Sequence, residues 1–106
     1  MVKLGSLRST ATLRERLLGL MGRSEEEIGG GLLIRSCRSV HTFGMRVPID
    51  VVFVDPLRRI TRVYHRLPPR RLVWGGRQCK DVIELPPGAA KQLDLNPGML
   101  VEWNDG

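Results

Sequence analysis

The stretch that decides the fold is SCRSVHTFGMRVPIDVVFVD, residues 36–55. Pro48 lacks a backbone N–H and has a fixed φ, so it suits the entry to a strand rather than its middle. The apolar run from Val51 to Val54 does not alternate, which predicts a strand covered on both faces. Asp50 interrupts this run. Its structural interpretation is an edge or turn carboxylate that accepts hydrogen bonds from backbone N–H groups.

A second strand is predicted over residues 59–67, after the turn signal Asp55-Pro56. The two runs therefore predict a hairpin in which residues 49–54 form a central strand. Apart from Ile60, the second run alternates, and its polar parity contains Arg58, Arg62, Tyr64 and Arg66. The other parity contains Val63, His65 and Leu67. We expect the arginines to face solvent, with Val63 and His65 pointing inward.

Other elements follow from caps, glycines and short apolar runs. Short helices are predicted over residues 13–21, from Ser24 onward, and over residues 89–93. Further strands are predicted over residues 32–34, 40–43, 72–74, 81–85 and 99–103. The predicted fold class is α+β, mainly antiparallel β, with a small barrel-like sheet and two or three short helices. Residues 1–106 are expected to form a single domain, with residues 1–11 either disordered or a loose strand.

Three separated segments resemble one known family. They are LRERLLGLMGR, GGGLLIRSCRSVHTFGMRVPIDVVFVD and VIELPPGAAKQLDLNPGMLVEW, and together they run from about Leu13 to Trp103. In this order they are similar to domain of unknown function 192. The resemblance implies a fold but no catalytic residues, since the family is biochemically uncharacterised. Its members typically carry Phe-Trp-Met where this chain has Phe43-Gly44-Met45. A binding contribution from that Trp is therefore not expected here.

Composition agrees with one soluble domain. A chain of 106 residues that is 42% hydrophobic can bury one modest core. No apolar run approaches the ~20 residues needed to span a bilayer. Charged residues interrupt the first 21 positions, so no signal peptide is predicted and a cytoplasmic location is expected, although a leader removed earlier would leave no trace. No cofactor is predicted.

The two cysteines, Cys37 and Cys79, are expected to be reduced and free of metal, with a single disulfide as the alternative. A zinc site that combined them with His41 and His65 is disfavoured because neither pair has short ligand spacing. The sequence therefore predicts no metal site.

Catalytic motifs are also missing from the sequence. It contains no Gly-x-Ser-x-Gly, phosphate-binding glycine loop or His-Glu-x-x-His. Cys37 with His41 or His65 could form a nucleophile and base, but a buried, unreactive thiol is the commoner arrangement. Asp50 and Glu84 would form a carboxylate pair if their strands were neighbours; an ion pair between Glu84 and an Arg is the alternative.

The chain carries 17 Lys and Arg against 11 Asp and Glu, for a net charge of +6. Arg58, Arg62 and Arg66 are candidates for binding an anion, because guanidinium groups pair well with phosphate and carboxylate. Nucleic acid is a conceivable partner but is not favoured, since few aromatic residues that could stack on bases lie nearby. A solvated cationic face is the simpler interpretation.

The favoured function is a small non-enzymatic binding or accessory module for an unknown protein or small molecule. Its candidate surface combines polar and apolar groups: His41, Thr42, Phe43, Met45, Arg46 and Asp50. The alternatives are an enzyme centred on Cys37, His41 and Asp50, and a weak RNA-binding module that uses the basic hairpin. A structural interpretation of the same loop also stays open. In that interpretation Gly44 marks a β-bulge, Phe43 and Met45 belong to the core, and His41 bonds a backbone carbonyl.

Overall fold

The computed structural model describes residues 1–10 and 31–105. Within them are eight strands and one short helix, namely β1 (Val2–Thr10), β2 (Leu32–Ile34), β3 (Ser39–His41), β4 (Ile49–Val54), β5 (Ile60–Leu67), β6 (Leu72–Trp74), β7 (Asp81–Leu85), α1 (Ala89–Gln92) and β8 (Val101–Asp105). The helices predicted over residues 13–21 and from Ser24 lie outside the described residues. The predicted helix near residue 89 and the five shorter predicted strands are confirmed; β2, β6 and β7 have the predicted bounds, and the bounds of the others differ by one or two residues.

Six strands form one sheet in the order β5-β4-β7-β2-β1-β8, and β3 pairs with β6 in a separate two-stranded ribbon. Most neighbours are antiparallel, as predicted. The exception is β1, which runs parallel to both β2 and β8. The N-terminal segment, which the sequence left open between disorder and a loose strand, is therefore paired along both edges.

The large sheet is not closed into a continuous barrel. Its two edge strands, β5 and β8, approach each other only at one end, through an isolated antiparallel bridge between Arg59 and Leu100. The Ile60 N–H donates to the Met99 carbonyl at 2.8 Å, and the Val101 N–H donates to the Arg58 carbonyl at 3.0 Å. The described residues thus contain a strongly curved open sheet with one helix.

Strand β4 divides the core into two clusters. All six of its residues are buried, and successive side chains of a strand point to opposite faces. On one face, Val51 and Phe53 pack with Val40 and Met45 beneath the ribbon. On the other, Val52 and Val54 pack with residues of β1, β7, β8 and α1. The prediction that β4 is covered on both faces is confirmed.

The predicted hairpin is also confirmed, because β4 lies between β5 and β7 and pairs with β5 in antiparallel register. The simple alternation of β5 is wrong at its C-terminal end. Tyr64 pairs with Val51 and Leu67 pairs with Ile49, so two residues, His65 and Arg66, oppose Asp50. This is a β-bulge, and Arg66 has a positive φ of 48°. The extra residue shifts the parity, and the His65 side chain is exposed rather than inward.

Candidate functional site

Asp50 is a structural joint, by which we mean that its carboxylate links the bulge in β5 to helix α1. Its side chain is fully buried, and each carboxylate oxygen accepts a hydrogen bond from a backbone N–H. The Arg66 N–H in the bulge donates to Oδ1 at 2.8 Å, and the Ala90 N–H in α1 donates to Oδ2 at 2.8 Å. The N-cap residue Gly88 has no side chain that could satisfy the first turn, so Asp50 does so from another element. This geometry matches the structural interpretation of Asp50.

The loop after β3 is built around Thr42, which is buried and fully bonded. Its hydroxyl donates to the Pro68 carbonyl at 2.7 Å and accepts from the Arg71 N–H at 2.9 Å. The Thr42 carbonyl accepts from the Met45 N–H at 3.2 Å, which closes a four-residue turn with Gly44 at its third position. Gly44 has a φ of 89°, so it serves a turn rather than the β-bulge of the structural interpretation.

The six candidate surface residues do not share one face. Met45 is buried in the core under the ribbon, whereas Phe43 is 52% exposed and Arg46 is exposed. Asp50 contacts α1 and so points to the face of β4 opposite the Met45 cluster. The structure therefore does not bring Asp50 together with residues 40–46 on one surface. Phe43 also departs from the structural interpretation, which placed it in the core.

The outer face of the ribbon, with the adjoining loop, has a largely apolar surface, which we call the ribbon patch: half-buried His41 with exposed Phe43, Leu72 and Trp74. Cross-strand partners share a face, and His41 pairs with Leu72 while Ser39 pairs with Trp74. Leu72 is 70% exposed and Trp74 is 50% exposed. The His41 and Phe43 ring centroids lie 5.7 Å apart. The candidate surface predicted from the sequence did not include Leu72 and Trp74. Apolar side chains at both outward positions of a three-residue strand could have indicated an exposed apolar surface there.

The ribbon patch is joined to the arginine-bearing face of β5. The Arg62 guanidinium lies over the Trp74 ring, 5.5 Å from its centroid, and donates to the Trp74 carbonyl at 3.1 Å. The Tyr64 hydroxyl donates to the same carbonyl at 3.2 Å. The backbones of Arg70 and Arg71 pair with Thr42, so two further cationic residues lie next to the loop of residues 42–46.

The candidate anion-binding arginines do not converge. Arg58 lies at the β4–β5 turn and stacks on Trp103 at 3.8 Å, whereas Arg62 stacks on Trp74. Arg66 lies in the bulge at the far end of β5. Residues four apart on a strand are about 13 Å apart, so these three groups cannot bind one small anion together.

The enzyme hypothesis places Cys37, His41 and Asp50 at one centre, and the structure does not bring them together. The Cys37 thiol donates to the Ser39 carbonyl at 2.9 Å. Asp50 uses both oxygens for backbone groups on the opposite face of β4. The structure does not bring Asp50 and Glu84 together as a carboxylate pair either. Glu84 opposes Val51 across neighbouring strands, so it points away from the face that holds Asp50.

The two cysteines are free thiols that lie near each other. The Cys79 thiol donates to the carbonyls of Asp81 at 3.4 Å and Cys37 at 3.5 Å. Burial, with a smaller contribution from Cys37, raises the pKa of the Cys79 thiol to about 11. A neutral thiol at physiological pH is a poor nucleophile, so Cys79 has the character of a core residue.

Among residues 1–10 and 31–105, no group of three or more His, Cys, Asp or Glu side chains is arranged to hold a metal ion. The helix found in the same ranges is too short to cross a membrane.

Comparisons with known proteins identify the family. The model of DUF192, described as Uncharacterized ACR, matches residues 4–103, so the chain belongs to this family. The fold is similar to a crystal structure of a protein of unknown function from Novosphingobium aromaticivorans, with a TM-score of 0.70 and 25% identity over 92% of this chain and 72% of the other. It also resembles a candidate transcription regulator from Sinorhizobium meliloti, with a TM-score of 0.70 and 22% identity over 85% and 74% of the two chains. A search of curated proteins found no match.

Proposed function

We propose that the 106 residues form a single-domain, non-enzymatic binding module, and that the ribbon patch is its functional surface. The observation that carries this proposal is the exposure of Phe43, Leu72 and Trp74 in one area. Scattered apolar side chains on a surface are normal, but a contiguous group rimmed by polar residues is typical of an interaction site. Trp and Arg are also enriched among the residues that contribute most to binding energy.

The rigidity of the ribbon supports this role. Val40 and Val73 point inward from the ribbon and pack on the core cluster that contains Val51 and Phe53. Gly75 continues the ribbon ladder by donating its N–H to the Arg38 carbonyl at 2.7 Å. Because the backbone is fixed from below, the outward side chains are held in place before a partner arrives. Such preorganisation reduces the entropy lost on binding.

The chemistry of the surface favours an acidic protein segment that carries apolar side chains. Arg62 contacts Trp74, and the backbones of Arg70 and Arg71 pair with Thr42 next to Phe43, so cationic residues near the patch would attract carboxylates. Leu72, its most exposed member, is aliphatic and offers no ring on which a base could stack. One face of Trp74 already holds the Arg62 guanidinium. These features favour a peptide over the RNA of the alternative hypothesis.

The test is selection of short peptides from a displayed random library, followed by fluorescence polarisation with the selected peptides. We expect the selected peptides to combine apolar residues with Asp or Glu. The variants Leu72→Ser and Trp74→Ser should each weaken binding by about tenfold or more, the cost of losing a central apolar contact. Folding should be nearly unchanged, since both side chains are largely exposed.

Leu57→Ser is the matched control, because Leu57 is 73% exposed on the β4–β5 turn outside the ribbon. It should bind the same peptides with unchanged affinity. Peptides without acidic residues, or equal loss of binding in the control and the ribbon variants, would contradict the proposal. Binding of an RNA oligonucleotide that depends on Trp74, without any peptide binding, would support the RNA-binding alternative instead.

A further inference from the structure

A cleft lies where three loops meet beside the ribbon. The loops are those between β2 and β3, between β4 and β5, and between β6 and β7. The cleft is open and has a volume of about 980 Å³. A smaller cleft adjoins it, because Ser36, Pro56 and Lys80 line both. We call the two together the basic cleft.

Among the described residues that line the basic cleft, cationic side chains outnumber acidic ones. Arg38, Arg77 and Lys80 line its larger part, and Arg35, Arg58 and Lys80 line the smaller. Arg35 already has an interaction of its own, whereas Arg38, Arg58, Arg77 and Lys80 make no ion pair with a carboxylate within residues 1–10 and 31–105. Like charges gathered in a concave surface focus the potential and attract anions.

The acidic side chains that line the basic cleft, Asp55 and Asp81, already accept hydrogen bonds from backbone N–H groups. The Asp55 Oδ1 accepts from the N–H groups of Leu57 and Arg59, each at 2.9 Å. The Asp81 Oδ1 accepts from the Ser36 N–H at 3.0 Å. Both carboxylates therefore fix the loops that shape the cleft, and they do not pair with its cations.

Two of the cations are held in position. The Nε of Arg38 donates to the Cys79 carbonyl at 3.1 Å, which anchors its guanidinium, and its terminal nitrogens make no hydrogen bond within the described part of the chain. Arg58 lies 3.8 Å from the centroid of the Trp103 ring and donates from one terminal nitrogen to the Trp103 carbonyl at 3.0 Å. A fixed guanidinium loses less entropy when it binds a phosphate than a mobile one does.

We propose that the basic cleft binds a small phosphate-bearing ligand, with a di- or triphosphate chain on Arg38, Arg58, Arg77 and Lys80. Four cations from three loops match an anion with several charges better than a single carboxylate. The apolar side chains of Pro56 and Leu57 form the remaining wall and offer a surface for an organic portion of nucleotide size. This site is separate from the ribbon patch and does not depend on the proposed peptide binding.

The test uses pyrophosphate, ATP and uncharged adenosine as probes of the full chain. Trp103 lines the smaller part of the cleft, and Trp74 is the only other Trp. In a Trp74→Phe background, the fluorescence of Trp103 therefore reports on the cleft, and calorimetry measures the affinity. We expect pyrophosphate and ATP to bind with a change in fluorescence, ATP more tightly, and adenosine alone not to bind detectably.

The double variant Arg77→Gln, Lys80→Gln removes two exposed cations and should weaken pyrophosphate and ATP binding by about tenfold or more, as expected for the loss of charge-assisted hydrogen bonds. Lys3→Gln, Lys91→Gln is the matched control, because it removes the same charge from exposed positions outside the cleft. It should bind as the parent does.

Two results would overturn the proposal. One is the absence of pyrophosphate and ATP binding at millimolar concentration. The other is an equal loss of affinity in both double variants, which would indicate attraction to net charge alone. If a single-stranded RNA binds through Arg77 and Lys80 while pyrophosphate does not, the small-ligand proposal is wrong and the cleft contacts a nucleic-acid backbone.

Discussion

The substitution Asp50→Asn should unfold the protein more readily without any change of shape or volume at the site. Asn keeps one carbonyl oxygen but replaces the other with an NH₂ group. The carboxylate faces two donors, the N–H groups of Arg66 and Ala90. In the variant, one of these N–H groups must therefore face another donor instead of an acceptor.

The expected loss of stability is about 2–4 kcal/mol. A hydrogen bond to a charged group contributes roughly 1.5–3 kcal/mol, and a buried donor left without a partner costs about 1–3 kcal/mol. Bulk solvent does not reach the Asp50 side chain, which is fully buried. The loss is a large part of the roughly 5–15 kcal/mol that stabilises a domain. The melting temperature should fall by about 10–20 °C for a chain of this size.

The assay is urea unfolding followed by circular dichroism, with thermal melts as a second readout. Glu102→Gln is the matched control, because it also replaces a carboxylate with an amide, at an exposed position on β8. The control should stay within about 0.5 kcal/mol of the parent. If Asp50→Asn also stays within that range, the two backbone hydrogen bonds do not stabilise the fold, and the account of Asp50 as a structural joint is refuted.

Four further predictions concern glycines and thiols. Gly75→Ala should destabilise the protein by about 1–3 kcal/mol, because a new Cβ would overlap the Phe53 ring; urea unfolding measures this. Gly44→Ala should cost about 1–2 kcal/mol, because φ is 89° in the turn, and a value near zero would argue against that turn. A thiol reagent at pH 8 should modify Cys37 well before Cys79, and both after unfolding. Stability should also fall as the pH rises from about 9 to 11, since the Cys79 thiol ionises first in the unfolded chain.

The strands that the sequence predicted are those whose signals are local. The run from Val51 to Val54 is apolar on both parities, and Asp55-Pro56 supplies a turn, so the hairpin follows from adjacent residues. The parallel pairing of β1 with β2 and β8 has no such signal. The pairing with β8 joins the first residues of the sequence to the last ones. Nothing in the nine residues of β1 indicates which strands they will pair with.

Strand β5 shows why a strand can be predicted correctly while the directions of its side chains are predicted incorrectly. Alternation predicted that His65 points inward, and the bulge opposite Asp50 moved it outward. The bulge leaves the Arg66 N–H free to bond Asp50, and that bond depends on a side chain 16 residues away. A sequence pattern records which residues are polar, but it does not record where a ladder gains an extra residue.

The candidate surface illustrates the same limit at the level of the site. Asp50 and Val51 must point to opposite faces of β4, as the period of a strand requires. What the sequence leaves open is which face the loop of residues 42–46 will cover. The ribbon of β3 and β6 decides this, because Met45 of the loop packs with Val51, while α1 occupies the Asp50 side. A polar residue close in sequence to an exposed aromatic can therefore serve the fold alone, while Leu72 and Trp74, about thirty residues farther along the chain, complete the surface.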